Sequence, residues 1–370
     1  MPIADETSRT AQTDVIVVGL GIHGRAAALE LSLRGLKVLA LDQFEDGHGR
    51  GSSHGATRMI RRAYPNPVWN PLVARAFDGW SRWSDIAGTA FVTTTGGVYA
   101  HQGESGLQGP HCRAVGREEA HELMPSFALP AGCGAVYDPA AGVLAADRAM
   151  EFAARAASAG GAELSWGERM LSWAQTPRGV EVTTDRRKLT ARKLVLTTGA
   201  WVGQAVPAFA GAFEVWRILT LTVAAGQPLA IPPRLGAFSV DRPEGLVFGI
   251  PDVDGRGFKV GVDAGLVWDP AVPATPPSAE EIRALGELMS GYVPGIALEG
   301  LDAVACLYTM TADKRFVLGA LSDCPDVIVA AACSGHGFKF APAVGEAVAQ
   351  LCQGAERPDL QFLSPARLTG

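Results

Sequence analysis

Asp14-Val15-Ile16-Val17-Val18-Gly19-Leu20-Gly21-Ile22-His23-Gly24 decides how this chain folds. Its β-branched apolar run reads as a buried strand that stops at a glycine turn. A helical pattern of Ala26, Ala27, Ala28, Leu29, Leu31 and Leu33 begins at once, and a second strand, Lys37-Val38-Leu39-Ala40-Leu41, ends in Asp42. Strand, G-x-G-x-x-G, helix, strand and acid in this order form the dinucleotide-binding fingerprint. Gly19 makes the turn, Gly21 lets a pyrophosphate approach the backbone, and Gly24 lets helix and strand pack closely. The pyrophosphate then rests on the helix N-terminus, and Asp42 accepts from a ribose hydroxyl. The motif does not say which dinucleotide is bound.

Working outward, Lys193-Leu194-Val195-Leu196-Thr197-Thr198-Gly199-Ala200-Trp201 is a further strand ending in a glycine turn. Asp326-Val327-Ile328-Val329-Ala330-Ala331-Ala332 repeats the buried-strand pattern, then turns at Ser334-Gly335-His336-Gly337 into an apolar helix from Pro342 to Leu351. The nucleotide-binding sheet is thus expected from separated pieces, residues 12–90, 147–210 and 311–370. The remainder, 91–146 and 211–310, carries alternating strands (Gly245 to Ile250, Gly257 to Val262) and a Pro-rich connection from Asp269 to Pro277. A helix follows Ser278, where Ser278-Ala279-Glu280-Glu281 makes a capping box. The expected class is α/β: a Rossmann-like domain of discontinuous segments plus a mostly antiparallel-sheet substrate domain. Two domains also suit 370 residues, a length beyond what one core usually serves.

Bulk properties narrow the partners. A formal charge of −6 speaks against a nucleic-acid surface, and the one basic cluster, Arg186-Arg187-Lys188, reads as a solvated hairpin turn. No stretch reaches the roughly 18 to 20 apolar residues of a membrane span. The first dozen residues are polar and lack an apolar h-region, so they read as a frayed tail and not a signal peptide. The six cysteines, at 112, 133, 306, 324, 333 and 352, have neither C-x-x-C nor metal spacing. Reduced thiols in a cytoplasmic protein without a metal are expected.

Three further segments carry a resemblance over essentially the whole length. They are Gly51-Ser52-Ser53-His54-Gly55-Ala56-Thr57-Arg58-Met59-Ile60-Arg61, Ala305-Cys306-Leu307-Tyr308-Thr309 and Ser334-Gly335-His336-Gly337-Phe338-Lys339-Phe340. In these segments and their order the chain resembles the monomeric sarcosine oxidase and N-methyltryptophan oxidase family of flavin amine oxidases. The resemblance implies FAD as the dinucleotide, in contact with Gly19, Gly21, Ile22, His23, Gly24, Asp42, Gln43, Ser52, His54, Arg58, Gly199, Trp201, Cys306, Gly335, Gly337, Phe338 and Lys339. It implies covalent attachment of the flavin 8α-methyl group through Cys306, which requires a thiolate beside the oxidised ring. Lys259, in Gly257-Phe258-Lys259-Val260-Gly261, matches the lysine that activates O2, where a fixed cation stabilises charge appearing only in the transition state.

The residues themselves support these assignments. The Ser-Gly-His-Gly loop precedes a helix, so its amides and the helix dipole suit the negative edge of a reduced ring. Arg61 and Lys339 are the cations expected on a substrate carboxylate, Arg in bidentate fashion and Lys as a point charge. Arg62, next door, is expected in a surface salt bridge. His336 is either a general base by proximity or a residue that orders the backbone.

The chain also departs from the family. Asp263 stands where its sarcosine enzymes carry a histidine, Phe248 where they have tyrosine, and Ser239 where they have methionine. Asp263 shares a strand face with Lys259, so it either pairs with that lysine or meets the substrate, where it could hold a second amine. The implied activity is FAD-dependent oxidation of an N-methylated, N-alkylated or cyclic amino acid. Hydride passes to the flavin, water hydrolyses the imine, and O2 becomes hydrogen peroxide. The alternative is a dehydrogenase that hands electrons to a quinone or carrier protein. The partners are the small substrate and O2, and the chain is expected to act as a monomer.

Overall fold

The computed structural model describes residues 13–223, 235–253, 255–295, 301–331 and 333–368. The polar first dozen residues and Ala332 lie outside them. The fingerprint forms as expected: strand Thr13–Val18, helix Ile22–Ser32, strand Val38–Leu41. Thr13–Val18 is the centre of a parallel sheet. Val38–Leu41 lies on one side, followed by Glu163–Ser165. On the other side lies Lys188–Leu196, whose last residues pair in parallel with Val327–Ala331. The first half of Lys188–Leu196 pairs instead with Gly179–Thr184 in an antiparallel hairpin. The turn between them holds Arg186 and Arg187 and is exposed as expected, and Arg187 also reaches the buried carboxylate of Glu168.

Helix Ile22–Ser32 is buried on all sides, so its charged residues are satisfied internally, as burial of charge requires. Arg25 donates to Leu20 O and Met150 O and pairs with Asp46. Glu30 takes Arg34 and Arg82. Helices Asn70–Ala87, Ala146–Ala159 and Ala341–Cys352 pack with it over one face of the sheet, around Trp80, Trp83 and Phe340.

The second sheet has nine strands and is antiparallel except where Ala237–Val240 runs parallel to Gly97–His101. Its longest pair is Glu214–Val223 against Leu301–Met310, and Glu214–Val223 is followed on its other side by Phe258–Asp263 and then Leu246–Ile250. Helix Ala279–Ser290 starts in the expected capping box of Ser278 and Glu281. Arg217, 4% exposed, ties this helix and the Pro-rich connection to the sheet through Glu281 and the carbonyls of Thr275 and Pro276. A small third sheet of Thr57–Ile60, Val92–Thr94 and Gly142–Ala145 cuts across the expected boundaries at 90/91 and 146/147. Among the described residues no helix is long and apolar enough to cross a membrane.

Candidate active site

Two cavities meet between the large sheets. The outer groove, about 860 Å³, runs from the glycine turn to Trp201 and the Pro270–Ala271 part of the Pro-rich connection. The inner cavity, about 590 Å³, lies against the nine-stranded sheet. Both are lined by Ile22, Ser52, Ser53, His54, Gly55 and Cys333, so one elongated ligand can thread from one to the other.

The groove is built on the fingerprint. Gly19 has φ +97°, and a Cβ there would come within 2.5 Å of Thr197 O. A Cβ on Gly24 would lie 1.7 Å from Gly19 O, so only glycine allows the helix to start this close to the strand. Gly19, Gly21, Ile22, His23, Asp42, Gln43, Gly199 and Trp201 line the groove, whereas Gly24 packs beneath it. Asp42 already accepts from Leu20 N (2.6 Å) and Phe44 N (2.9 Å), so its carboxylate also fixes the turn. Ser53, part of the Gly51–Arg61 segment but not singled out within it, accepts from Ile22 N at 3.0 Å at the start of the helix.

The segment Gly51–Arg61 forms the floor between the cavities. Arg58 holds it in place with hydrogen bonds to Ser52 O, His54 O and Thr57 O, and its guanidinium lies over the Phe338 ring. Ser52 Oγ donates to Leu307 O, locking the floor to the strand that carries Cys306. His54 Nε2 is buried without a partner. Burial, with Arg58 and Lys259 nearby, pulls its pKa down to about 4, so the ring is neutral near pH 7.

The inner cavity collects Arg61, Lys259, Asp263, Cys306, Gly335, His336, Gly337, Phe338 and Lys339. Lys259 and Asp263 share a strand face as expected, but they do not pair. Lys259 Nζ donates to Thr57 O at 2.5 Å, and burial together with Arg58 lowers its pKa well below that of an ordinary lysine. Lys339 is buried, with Nζ donating to Tyr64 Oη (3.1 Å) and His336 O (2.9 Å). Burial and Arg61 depress it strongly. Arg61 lies over the rings of Tyr64 and Tyr99, and among the described residues has no carboxylate at salt-bridge distance. Its neighbour Arg62 makes no surface salt bridge: the guanidinium sits 4.0 Å over the Phe77 ring, and the backbone N–H donates to Asp138.

His336 has both ring nitrogens engaged, Nδ1 with Tyr64 Oη (3.2 Å) and Nε2 with Lys314 O (2.9 Å). Burial and Lys339 bring it down to about 3, a geometry of backbone ordering and not of a free base. The Ser-Gly-His-Gly loop runs first into a 3-10 turn, Phe338–Phe340, and only then into helix Ala341–Cys352. Two of its amides are already spent, Ser334 N on Thr309 O of the strand Leu301–Met310 and His336 N on Cys333 O. The anion-facing donors are therefore fewer than the sequence suggested. Cys306 is buried, and its thiol is pushed up by that burial but drawn down by Arg58 and Lys259. On the opposite wall Phe248 lies across Gly261, where a Cβ would meet its ring at 2.5 Å, and Ser239 pairs in register with Phe248. Tyr64 and Lys314 escaped the sequence analysis, since only the fold brings them to the site.

The residues fit a flavin dinucleotide. The glycine cradle suits a pyrophosphate, and the orphaned His54 Nε2 marks where the ligand passes between the cavities. Comparison with known proteins agrees. The family described as DAO, FAD dependent oxidoreductase, matches residues 14–351. Monomeric sarcosine oxidase of Streptomyces avermitilis is 32% identical, over 96% of this chain and 97% of that protein. N-methyl-L-tryptophan oxidase of Yersinia pestis is 29% identical, over 96% and 99%. Among solved structures, the amino acid oxidase NikD aligns with TM-score 0.82 at 21% identity, over 96% of this chain and 98% of that one. L-proline dehydrogenase of P. horikoshii aligns with TM-score 0.80 at 22% identity, over 96% and 97%. With its groove, its inner cavity and a match spanning nearly its whole length, the chain belongs to the FAD-dependent oxidoreductases of the DAO family, in the branch that holds monomeric sarcosine oxidase.

Proposed function

We propose that the protein oxidises a secondary amino acid (N-methylated, N-alkylated or cyclic) with O2 as the electron acceptor. The observation that carries this reading is a pair of cations, Arg61 and Lys339, facing one cavity with Cys306 and, among the described residues, without a counter-anion at salt-bridge distance. A carboxylate entering there meets a planar guanidinium and an ammonium held by Tyr64 and His336. Bound FAD supplies the hydride acceptor and returns the electrons to O2 as hydrogen peroxide. Arg61 and Lys339 orient the substrate by its carboxylate. Phe248 and Ser239 set the width of the opposite wall, and Lys259 provides the cation beside which oxygen is reduced.

Covalent attachment through Cys306 belongs to the same proposal. It is one of two thiols on the inner cavity, its pKa raised by burial with Arg58 and Lys259 opposing that rise; the other is Cys333. A peroxide-coupled screen of N-methyl and cyclic amino acids tests the activity. Denatured protein on a gel should keep yellow-green fluorescence in the wild type and in Cys333→Ala, and lose it in Cys306→Ala. Flavin reduction by an amino acid without peroxide formation would favour the dehydrogenase alternative, a reading kept open because an L-proline dehydrogenase shares the fold.

A further inference from the structure

Asp263 ends its strand inside the inner cavity with one oxygen unanswered. Oδ1 is buried and accepts no hydrogen bond. It faces Gly335, on which a Cβ would come within 3.0 Å of it. The charged and titratable groups around it come from every side: Arg61 beyond strand Thr57–Ile60, Lys314 from the turn after Leu301–Met310, Lys339 from the turn Phe338–Phe340, Tyr308 from Leu301–Met310 and Lys259 from its own strand. Burial raises its pKa, and Lys314, Arg61 and Lys339 oppose that rise without hydrogen-bonding to it. A buried acceptor left without a donor costs about 1–3 kcal/mol, a cost that an N–H on a bound ligand removes.

Resting on the amino-acid reading above, the geometry points to Asp263 as the group that pairs with the substrate's reacting ammonium and accepts its proton. Arg61 and Lys339 act on Asp263 electrostatically, so the carboxylate clamp and the amine acceptor are neighbours. That suits a ligand whose carboxylate and nitrogen are one carbon apart, better than one whose second amine lies out along a side chain. The step balances simply. An N–H bond breaks and an O–H bond forms on Asp263. The nitrogen keeps the electron pair, which becomes the C=N bond when hydride leaves the adjacent carbon for the oxidised flavin. Such a step is needed because an alkyl ammonium with a pKa of about 10 is deprotonated in only roughly one molecule in a thousand at pH 7. The neighbours do not serve as acceptors. His336 has both nitrogens engaged, and the ammonium forms of Lys259 and Lys339, which the oxygen step and the carboxylate clamp use, have no lone pair to accept with. A carboxyl with a raised pKa takes a proton more readily than an exposed one.

The test uses the flavin-loaded enzyme and two inert ligands, 2-aminoisobutyrate and isobutyrate, which differ by the amine alone. Flavin absorbance in titrations should show the wild type binding the zwitterion about 10- to 100-fold more tightly, the range of a charge-assisted hydrogen bond. Asp263→Asn should bring the two ligands together while binding isobutyrate no less tightly. In anaerobic reduction by a secondary amino acid, the wild-type rate should vary little across the neutral range. The Asn variant should gain a tenfold rise per pH unit toward the amine's own pKa, and Asp263→Glu should restore part of the flat profile. An Asn variant that keeps the zwitterion preference or the flat profile overturns the inference. So does a wild type that binds isobutyrate but gains nothing from the amine, or one that gains only from a side-chain amine. A wild type that binds neither ligand and is reduced by no amino acid overturns the amino-acid reading, and this inference with it.

Discussion

The buried Glu168 carboxylate and the buried Oδ1 of the partly buried Asp263 are treated by the chain in opposite ways. Glu168, 1% exposed, accepts from Arg187 Nε and Nη2 (3.1 and 3.0 Å), Ser165 Oγ (2.6 Å) and Thr184 Oγ1 (2.8 Å). Burial pushes its pKa up, yet these bonds hold it at about 2. Asp263 Oδ1 has none of this, and its pKa is raised. The contrast extends to the surrounding regions. The nucleotide-binding framework neutralises its buried charges in pairs, Arg25 with Asp46 and Glu30 with Arg34 and Arg82. In the inner cavity Arg61, Lys259 and Lys339 are held by rings, carbonyls and a hydroxyl, and neither they nor Asp263 has an opposite charge at salt-bridge distance among the described residues. Charges answered inside the fold stabilise it; charges left open await a ligand.

Lys259 gives the largest expected effect. A unit charge about 4 Å from negative charge developing on oxygen, at an effective dielectric of about 20, contributes at most roughly 4 kcal/mol. That corresponds to up to about three orders of magnitude in rate. Lys259→Met should therefore slow flavin reoxidation by O2 far more than flavin reduction by substrate, as resolved by stopped-flow. The ammonium is the active form and its pKa is depressed, so wild-type reoxidation should also fall as pH rises through that lowered value. Equal slowing of both half-reactions would make Lys259 a structural charge like Arg187.

Glu168→Gln should give the next largest effect, on stability alone. Breaking a buried, paired charge costs about 3–5 kcal/mol, and the half-exposed Arg187 places this case at the lower end. Because the folded pKa lies below the usual value, the stabilisation is complete above about pH 4.5 and is lost as pH falls toward about 2. Denaturant titration of wild type and variant should converge at the acid end. A variant as stable as wild type near pH 7 would remove the framework half of the comparison.

How far the sequence revealed these two regions follows from the range of the interactions. The fingerprint and the capping box at Ser278 are local, so spacing displayed them, the long motif segments were legible through the family resemblance, and every site residue named from these sources other than the packing residue Gly24 lines one of the two cavities. What stayed hidden depends on distant partners. Arg187 read as a turn residue because Glu168 is brought to it only by the sheet. Tyr64 read as nothing in particular, although it links Lys339 to His336 across 275 and 272 positions of chain. Arg62 was expected in an ion pair because Phe77, on a helix packed above it, left no local trace.

Arg61 tests the cavity half of the comparison at intermediate size. Hydrogen bonds to charged groups contribute about 1.5–3 kcal/mol, so Arg61→Ala should weaken binding of a substrate carboxylate roughly 10- to 100-fold. Lys339 adds a pH dependence. Its depressed pKa means that only the protonated fraction offers an ammonium, so carboxylate affinity should fall as pH rises through that pKa. Anaerobic titration of flavin absorbance measures both, and an unchanged dissociation constant in Arg61→Ala would remove this residue from the clamp.

The smallest effect should be the stability of Asp263→Asn, and its sign should be opposite to that of Glu168→Gln. A carboxyl whose folded pKa is raised contributes stability below its unfolded pKa, and that contribution is lost as pH rises through the folded value. Near neutral pH the wild type therefore carries a partly buried charge with one oxygen unanswered, partly offset by Lys314, Arg61 and Lys339. Asparagine removes the charge and keeps the shape, so Tm should rise, by less than Glu168→Gln lowers it. The gain should be absent in acid, where Asp263 is protonated, and appear as pH increases. Melting of the two flavin-loaded proteins without substrate across pH decides the matter. A loss of stability, or a gain that ignores pH, would mean that Asp263 is satisfied within the fold and that the two carboxylates do not differ in kind.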